Sequence, residues 1–446
     1  MDRIDPDAVS VRSGHYIGGA YIDDRPAMEV RRPSDGKAYA GLPVADAAMV
    51  DRAVQDAWQA FKTSDWAHRP PRERARVMRR WADLIELDAS VLAPLETVGS
   101  TRPIRDALGD WATFSSENAV GFNEGVNQAL TGTSLASDPP AHTELRAALT
   151  ENLTPRALRG MKESIDRKAD GIVRALAAKG GFDGIRDLAR ELPLQVVLDL
   201  IGVKDEHVRS RILDWGAAAF NVLGPMNART ETNFPIAGEL YQWTKALSVE
   251  QLEPGSMGHG IFMAAQRGAI PPDSCGHIIH QYIAAGLDTT IATIGNALYM
   301  FGRHPDQYRL LRQDPSLVPA ALNEVLRYCA LMIATGRRTT RDVEIEGTLI
   351  PKGARVAILF GAGNHDPRHY ENPEQFLIQR NPMDHLSFGY GVHGCAGQGL
   401  ARLEIYAVLE ALIRHVDSFK IGEPVRKINN SSLALDQLPI FDVVPA

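Results

Sequence analysis

The sequence predicts a mainly α-helical chain with small β-sheets. Residues 155–179, 187–201, 208–223 and 236–247 carry apolar side chains at three- and four-residue steps, separated by Gly- and Pro-bearing turns. Pro271-Pro272-Asp273 then opens a longer, mostly apolar stretch that reads as one helix to about Phe301. Strand-like stretches are short by comparison: Val343-Glu344-Ile345 before Gly347, and Arg355-Val356-Ala357-Ile358-Leu359.

The 446 residues and an apolar share of 44% permit an extensive core. A net charge of -7 argues against nucleic acid as the main partner. The opening Met1-Asp2-Arg3-Ile4-Asp5-Pro6 lacks an apolar signal core, and no apolar run is long enough to span a bilayer, so the expectation is a soluble, cytoplasmic protein with no membrane contact. Cys275, Cys329 and Cys395 are widely spaced and fit a reducing compartment better than a disulfide framework.

The N-terminal hundred residues have their own character. His15-Tyr16-Ile17-Gly18-Gly19-Ala20-Tyr21-Ile22 reads as a hairpin turning at its glycines, and Met28-Glu29-Val30 as a strand before a turn at Pro33-Ser34-Asp35-Gly36. Asp46 can cap a helix striped by Val50, Val54, Trp58 and Phe61, and Pro71 can open another striped by Val77, Met78, Trp81 and Leu84. Such stripes call for a packing partner. Residues 15–108 resemble the start of aldehyde dehydrogenases, through Tyr16-Ile17-Gly18-Gly19, Val50-Asp51-Arg52-Ala53-Val54, Arg72-Glu73-Arg74-Ala75-Arg76 and Leu95-Glu96-Thr97. That family's glycine-rich dinucleotide turn and nucleophilic cysteine are not found downstream, so residues 1–108 are expected to be a non-catalytic segment. It would pack on the remainder, 109–446, or on a second copy in a homo-oligomer.

The chemistry gathers around Phe388-Gly389-Tyr390-Gly391-Val392-His393-Gly394-Cys395-Ala396-Gly397-Gln398-Gly399-Leu400-Ala401-Arg402. A glycine-punctuated loop delivers one cysteine to the start of a helix, where the helix dipole and free N–H groups favour the thiolate that ligates a metal. Upstream, Ala284-Ala285-Gly286-Leu287-Asp288-Thr289-Thr290 sets a carboxylate and two hydroxyls in an apolar helix. Gly286 weakens that helix, and a threonine hydroxyl can bond the carbonyl of the preceding turn. Glu324 and Arg327 share one face of another helix.

The cysteine loop closely resembles the haem-thiolate signature of the cytochrome P-450 family, and the resemblance runs from about Trp111 to the C-terminus. It implies the family's fold with its N-terminal elements replaced by the dehydrogenase-like segment, haem b as cofactor, and Cys395 as axial ligand, with Phe388 and Ala285 beside the haem. It assigns Asp288 to proton delivery and Thr289 to oxygen activation, and Glu324 with Arg327 to a structural pair; Gln375 stands where many members carry the pair's third partner, an arginine, and Arg380 is the candidate substitute. His142, Arg146, Arg337 and His393 match positions that hold the haem propionates.

The implied activity is a monooxygenase reaction using O2, with electrons from a separate ferredoxin and its NAD(P)H-dependent reductase. A peroxide-dependent haem enzyme and a non-catalytic haem-thiolate sensor are the alternatives. Within the family the chain is most similar to enzymes oxidising para-substituted benzoic acids, but Glu117 and His280-Gln281 stand where those relatives carry an arginine and an Arg-Ser pair. The expected substrate is therefore a neutral aromatic compound, undergoing hydroxylation or O-demethylation, walled by Phe122, Val126, Phe220, Ala284 and Ile333.

Overall fold

The computed structural model describes residues 14–22, 28–31, 38–87, 103–345 and 348–446. They fall into two compact units, one running to Pro103 with a short piece around residue 347, the other holding the rest. The expected turn at Pro33–Gly36 and the Leu95-Glu96-Thr97 match lie outside the described residues.

In the first unit β1 (His15–Ile17) pairs antiparallel with β2 (Ala20–Ile22), and β3 (Met28–Arg31) with β4 (Ala38–Leu42). Gly18 and Gly19 form the first turn, both at positive φ as the hairpin requires. The Asp46 carboxylate accepts the Met49 N–H at 2.8 Å and starts α1 (Ala47–Thr63), and Pro71 opens α2 (Pro71–Leu87). The stripes named above are exposed along both helices, from Val50 to Phe61 and from Val77 to Leu84. Among the described residues, the local cover of the first stripe is its own: Trp58 stacks on Phe61 with ring centres 5.8 Å apart, and Lys62 lies over the Trp58 ring.

The second unit is helical around one large core. Its chain begins with α3 (Pro103–Gly109), β5 (Phe114–Ser115), α4 (Glu124–Ala129), α5 (Ala141–Thr150) and α6 (Pro155–Ala177). Next come β6 (Phe182–Asp183), α7 (Glu191–Ile201), α8 (Glu206–Asn221), α9 (Ala228–Ala246) and α10 (Met257–Gln266). Two corrections to the sequence reading arise here. Residues 184–189 form a π-helical turn before α7 rather than part of one helix, with Asp183 accepting from Ile185 and Arg186. Helix α9 starts well before residue 236, because the Asn227 side chain caps the Thr230 N–H and Pro235 is carried inside the helix.

A further correction concerns the long apolar stretch. It is two helices, α11 (Ser274–Gly286) and α12 (Asp288–Arg303), separated at Leu287, where ψ is -69°. Gly286 lowers the cost of leaving the helix, and the Thr289 hydroxyl bonds the Ala285 carbonyl at 2.7 Å. Then follow α13 (Pro305–Gln313), α14 (Val318–Cys329), β7 (Ala334–Thr339), β8 (Val343–Ile345), β9 (Thr348–Ile350) and β10 (Arg355–Leu359). The chain closes with α15 (Phe360–Asn364), α16 (Gln398–His415), β11 (Val416–Ile421), β12 (Val425–Lys427), β13 (Ala434–Gln437) and β14 (Pro439–Pro445). Small sheets in the orders β10-β7-β5, β11-β14-β6 and β12-β13 flank the helices. Ile185, Leu188, Ile212, Ile279, Ile283, Phe301 and Leu322 are all at most 1% exposed and mark the core between them.

Glu324 and Arg327 on α14 are both fully buried. Arg327 donates to the two Glu324 oxygens at 2.8 and 2.9 Å, to the Asn364 carbonyl at 2.9 Å and to the Gln375 carbonyl at 3.2 Å. Arg380 and the Leu377 N–H donate to the same Glu324 carboxylate at 3.2 and 3.0 Å. Removing one member leaves the other as an uncompensated buried charge, so Arg327→Ala is expected to destabilise the protein by about 3–5 kcal/mol. Urea denaturation of the variant beside the parent measures it, and a loss well under about 1 kcal/mol contradicts the assignment.

Candidate active site

The cysteine loop is fastened before it reaches its ligand. Asn364, whose carbonyl Arg327 holds, uses its side chain to accept the Leu386 N–H at 2.7 Å and to donate to the Ser387 hydroxyl at 2.9 Å. Ser387 in turn donates to the Leu326 carbonyl on α14 at 2.5 Å. Past this clamp the Cys395 N–H bonds the Phe388 carbonyl at 2.7 Å, closing the loop on itself. Gly391 sits at φ +69°, and a Cβ there would stand 2.8 Å from the Leu108 carbonyl oxygen, so only glycine fits the turn. Helix α16 starts just beyond the sulfur.

The expected thiolate preference does not hold for the bare fold. Burial pushes the Cys395 thiol pKa up, outweighing the Gly397 and Gln398 N–H groups and the positive charges of Arg146 and Arg402, which pull it down. A bound metal cation is what tips such a sulfur to the anion. The surroundings fit that cation's carrier. Within the break between α11 and α12, Ala285 is exposed and Thr289 half-buried, although Ile283, Leu287 and Thr290 beside them are buried, so this side of the break is left uncovered.

An anionic group is also called for. His142 and His393 lie with ring centres 4.5 Å apart, and the Nε2 atoms of both are buried without a hydrogen-bond partner. Burial pushes His142 down to about 4, with the positive charges of His393 and Arg146 adding to it. Arg337 is 5% exposed and pushed down to about 10 by burial, and its guanidinium donates to the Gly336 carbonyl and the Thr335 hydroxyl at 2.8 and 3.3 Å. Asp138 faces the same cluster: it accepts the Ser115 hydroxyl at 2.5 Å and stands 3.8 Å from His393 Nε2, beyond hydrogen-bond reach. Unpaired buried donors of this kind match the propionates of haem b. Arg146, expected in the same clamp, donates to the Gly394 carbonyl of the ligand loop.

On the opposite side Asp288 is 7% exposed and ion-paired with Lys427 of β12. No local pattern in the sequence points to that lysine; only the fold delivers it. The predicted wall residues are knitted together through the backbone. Phe122 N–H bonds the Leu223 carbonyl at 2.8 Å, Asn123 caps Val126 and donates to the Val222 and Gly224 carbonyls, and Ser431 bonds the Phe220 carbonyl at 2.6 Å and accepts the Ile333 N–H at 3.0 Å through its own carbonyl. Ala284 lies on α11 in the turn that precedes the break. Phe388 lies under the Arg402 guanidinium, 5.1 Å from its ring centre. Glu117 is exposed, Gln281 accepts the Ser134 hydroxyl at 2.6 Å, and burial pushes His280 down to about 4, leaving it neutral at pH 7.

Comparison with known proteins agrees with this geometry. The Cytochrome P450 family model matches residues 270–441. Over 343 residues the chain is 36% identical to cytochrome P450 CYP199A2 of Rhodopseudomonas palustris, covering 75% of this chain and 82% of that protein. The chain belongs to the cytochrome P450 family. It is also 32% identical to the 6-deoxyerythronolide B hydroxylase of Saccharopolyspora erythraea, across 68% of this chain and 75% of that one. Among solved structures, P450BioI in complex with hexadec-9Z-enoic acid ligated acyl carrier protein superposes with TM-score 0.70 at 25% identity, covering 77% of this chain and 91% of that one. The P450 CREJ in complex with (4-ethylphenyl) dihydrogen phosphate does so with TM-score 0.68 at 29% identity, covering 76% and 89%. The Aldehyde dehydrogenase family model matches residues 21–147 and so reaches beyond residue 108 into α5 of the P450.

This P450 is a haem-thiolate monooxygenase, working with O2, a redox partner and a small-molecule substrate. Among the described residues no helix is long and apolar enough to cross a membrane.

His385 sets a pH limit on the clamp. Burial pushes it down to about 4 from 6.5, its Nδ1 accepts the Ser387 N–H at 3.2 Å, and its Nε2 is buried without a partner. Because the folded pKa is depressed, the unfolded chain takes up the proton first as pH falls. Stability is therefore full above about 6.5 and lost progressively toward about 4, by about 3 kcal/mol in all. Urea midpoints from pH 7 to 4.5 should fall accordingly, and His385→Gln should make the decline shallower by this residue's share, leaving the shares of His142 and His280.

Proposed function

We propose that the enzyme oxygenates a small, neutral aromatic compound by hydroxylation or O-demethylation, drawing electrons from a separate ferredoxin and its NAD(P)H-dependent reductase. The observation that carries the substrate reading is the absence of a cation at the two positions where a benzoate clamp is expected: Glu117 stands at one, and neutral His280 with hydrogen-bonded Gln281 at the other. A carboxylate beside Glu117 meets like charge instead of a partner. The similarity to the CREJ complex, whose ligand (4-ethylphenyl) dihydrogen phosphate carries a para-substituted ring, supports an aromatic substrate.

The chain's own groups divide the work. Cys395 would ligate the haem iron, and His142, Arg146, Arg337 and His393 would hold the propionates. Haem b, when bound, supplies the redox chemistry by which one atom of O2 enters the substrate and the other leaves as water, the thiolate favouring cleavage of the O–O bond. Thr289 holds its hydroxyl on the Ala285 carbonyl at rest and can turn it toward the chamber as a donor. Asp288, buried one residue earlier, passes protons inward from the side where Lys427 meets solvent. Phe122, Val126, Phe220, Ala284 and Ile333 exclude water and orient the ring.

Two outcomes follow. Neutral para-substituted phenols and methoxyphenols should displace the haem water in an optical titration at concentrations at least about tenfold below matching benzoates, a difference of about 1.4 kcal/mol; benzoates binding as tightly would contradict the neutral-substrate reading. Thr289→Ala should still consume NAD(P)H with substrate present, while product per NAD(P)H falls several-fold and hydrogen peroxide rises. Full coupling in that variant removes Thr289 from the mechanism.

A further inference from the structure

Asp288 is buried at the first turn of α12, and Lys427, at the end of β12, provides its ion-pair partner. The side chain of Asp288 is 8% exposed and that of Lys427 24%, so the lysine is where this buried acid meets water. The placement of Lys427 is fixed by more than its own reach. Lys427 pairs with Ala434 across the β12–β13 ladder. Ala434 packs with Ala292 of α12 and with Leu331, and the Asn296 side chain of α12 contacts the Leu433 carbonyl at 3.5 Å. The loop between the two strands is held at its other side, where Asn430 donates to the Asn221 carbonyl at 3.0 Å. The hairpin thus lies along the helix that carries Asp288 and presents one cation to one carboxylate.

We propose that Lys427 is the positioning residue for Asp288: it holds the carboxylate aimed at the solvent side of α12, from where a proton is accepted and then handed toward Thr289. This rests on the reading of Asp288 as the proton route. The proton balance is simple, since a proton taken from water by the carboxylate leaves on the chamber side and the carboxylate returns to the ammonium. Without the ammonium, a carboxylate in this buried place loses the counter-charge and the contact that aim it. Arginine can restore the charge, whereas methionine keeps only the length of the side chain.

The test compares the full-length holoenzyme with Lys427→Met, Lys427→Arg, Asp288→Asn and the double variant Lys427→Met/Asp288→Asn. Product formation is measured in H2O and D2O, and the urea midpoint is measured in parallel. Lys427→Met should slow turnover about tenfold and enlarge the solvent isotope effect, as Asp288→Asn does, and Lys427→Arg should recover most of both. The double variant should be no slower and no less stable to urea than the worse single variant, since the two act as one unit. If Lys427→Met lowers the urea midpoint but leaves the isotope effect at the parental value while Asp288→Asn changes it, the lysine is merely structural and the proposal falls. If Asp288→Asn itself leaves rate and isotope effect unchanged, the proton-route reading falls and the proposal with it.

Discussion

The buried ion pair between Glu324 and Arg327 is the constraint on which the rest of the site depends. Two charges without solvent are costly, and an ion pair alone does not offset that cost. Here all three guanidinium nitrogens of Arg327 donate, to both oxygens of one carboxylate and to the carbonyls of Asn364 and Gln375. Glu324 is shared with Arg380 and the Leu377 N–H. The pair ties α14 to chain segments far along the sequence. Through Asn364 and Ser387 that fixation passes to the residues that immediately precede the cysteine loop.

A second constraint acts from the other side of the chamber. The helix break at Leu287 leaves Ala285 and Thr289 facing open space while Asp288 turns into the protein. A continuous α-helix would satisfy its backbone internally and offer the chamber only side chains. Across the break the Thr289 hydroxyl rests on the Ala285 carbonyl, and Asp288 has a neighbour from the C-terminal hairpin.

Much of this was legible in the sequence because it is local. The spacing of glycines, histidine and cysteine from Phe388 to Arg402 encodes a turn, a ligand and a helix start within one short stretch, and Glu324 with Arg327 is a one-turn pair. Asp46 announced its helix by capping chemistry alone. What the sequence hid depends on distant chain. Apolar periodicity runs straight through Leu287, so the break was read as a possible opening in one helix, not as two helices. Pro235 fell among the Pro-bearing turns expected between helices, whereas the Asn227 cap starts α9 several residues earlier and the helix carries the proline. The cation on Asp288 comes from β12, where nothing in Val425-Arg426-Lys427 marks it. The pKa of Cys395 depends on burial, which local pattern does not reveal, so the helix-end argument was right in sign for its own contribution and outweighed in the folded chain.

The central claim is that Cys395 ligates haem as a thiolate. A carbon monoxide difference spectrum of the reduced, purified full-length protein tests it most directly. The account predicts the strongly red-shifted band of thiolate-ligated haem, lost in Cys395→Ser with the His142 and His393 pair intact. A band at the position of nitrogen-ligated haem in the parent protein, or an unchanged red-shifted band in the Cys395→Ser variant, would contradict it.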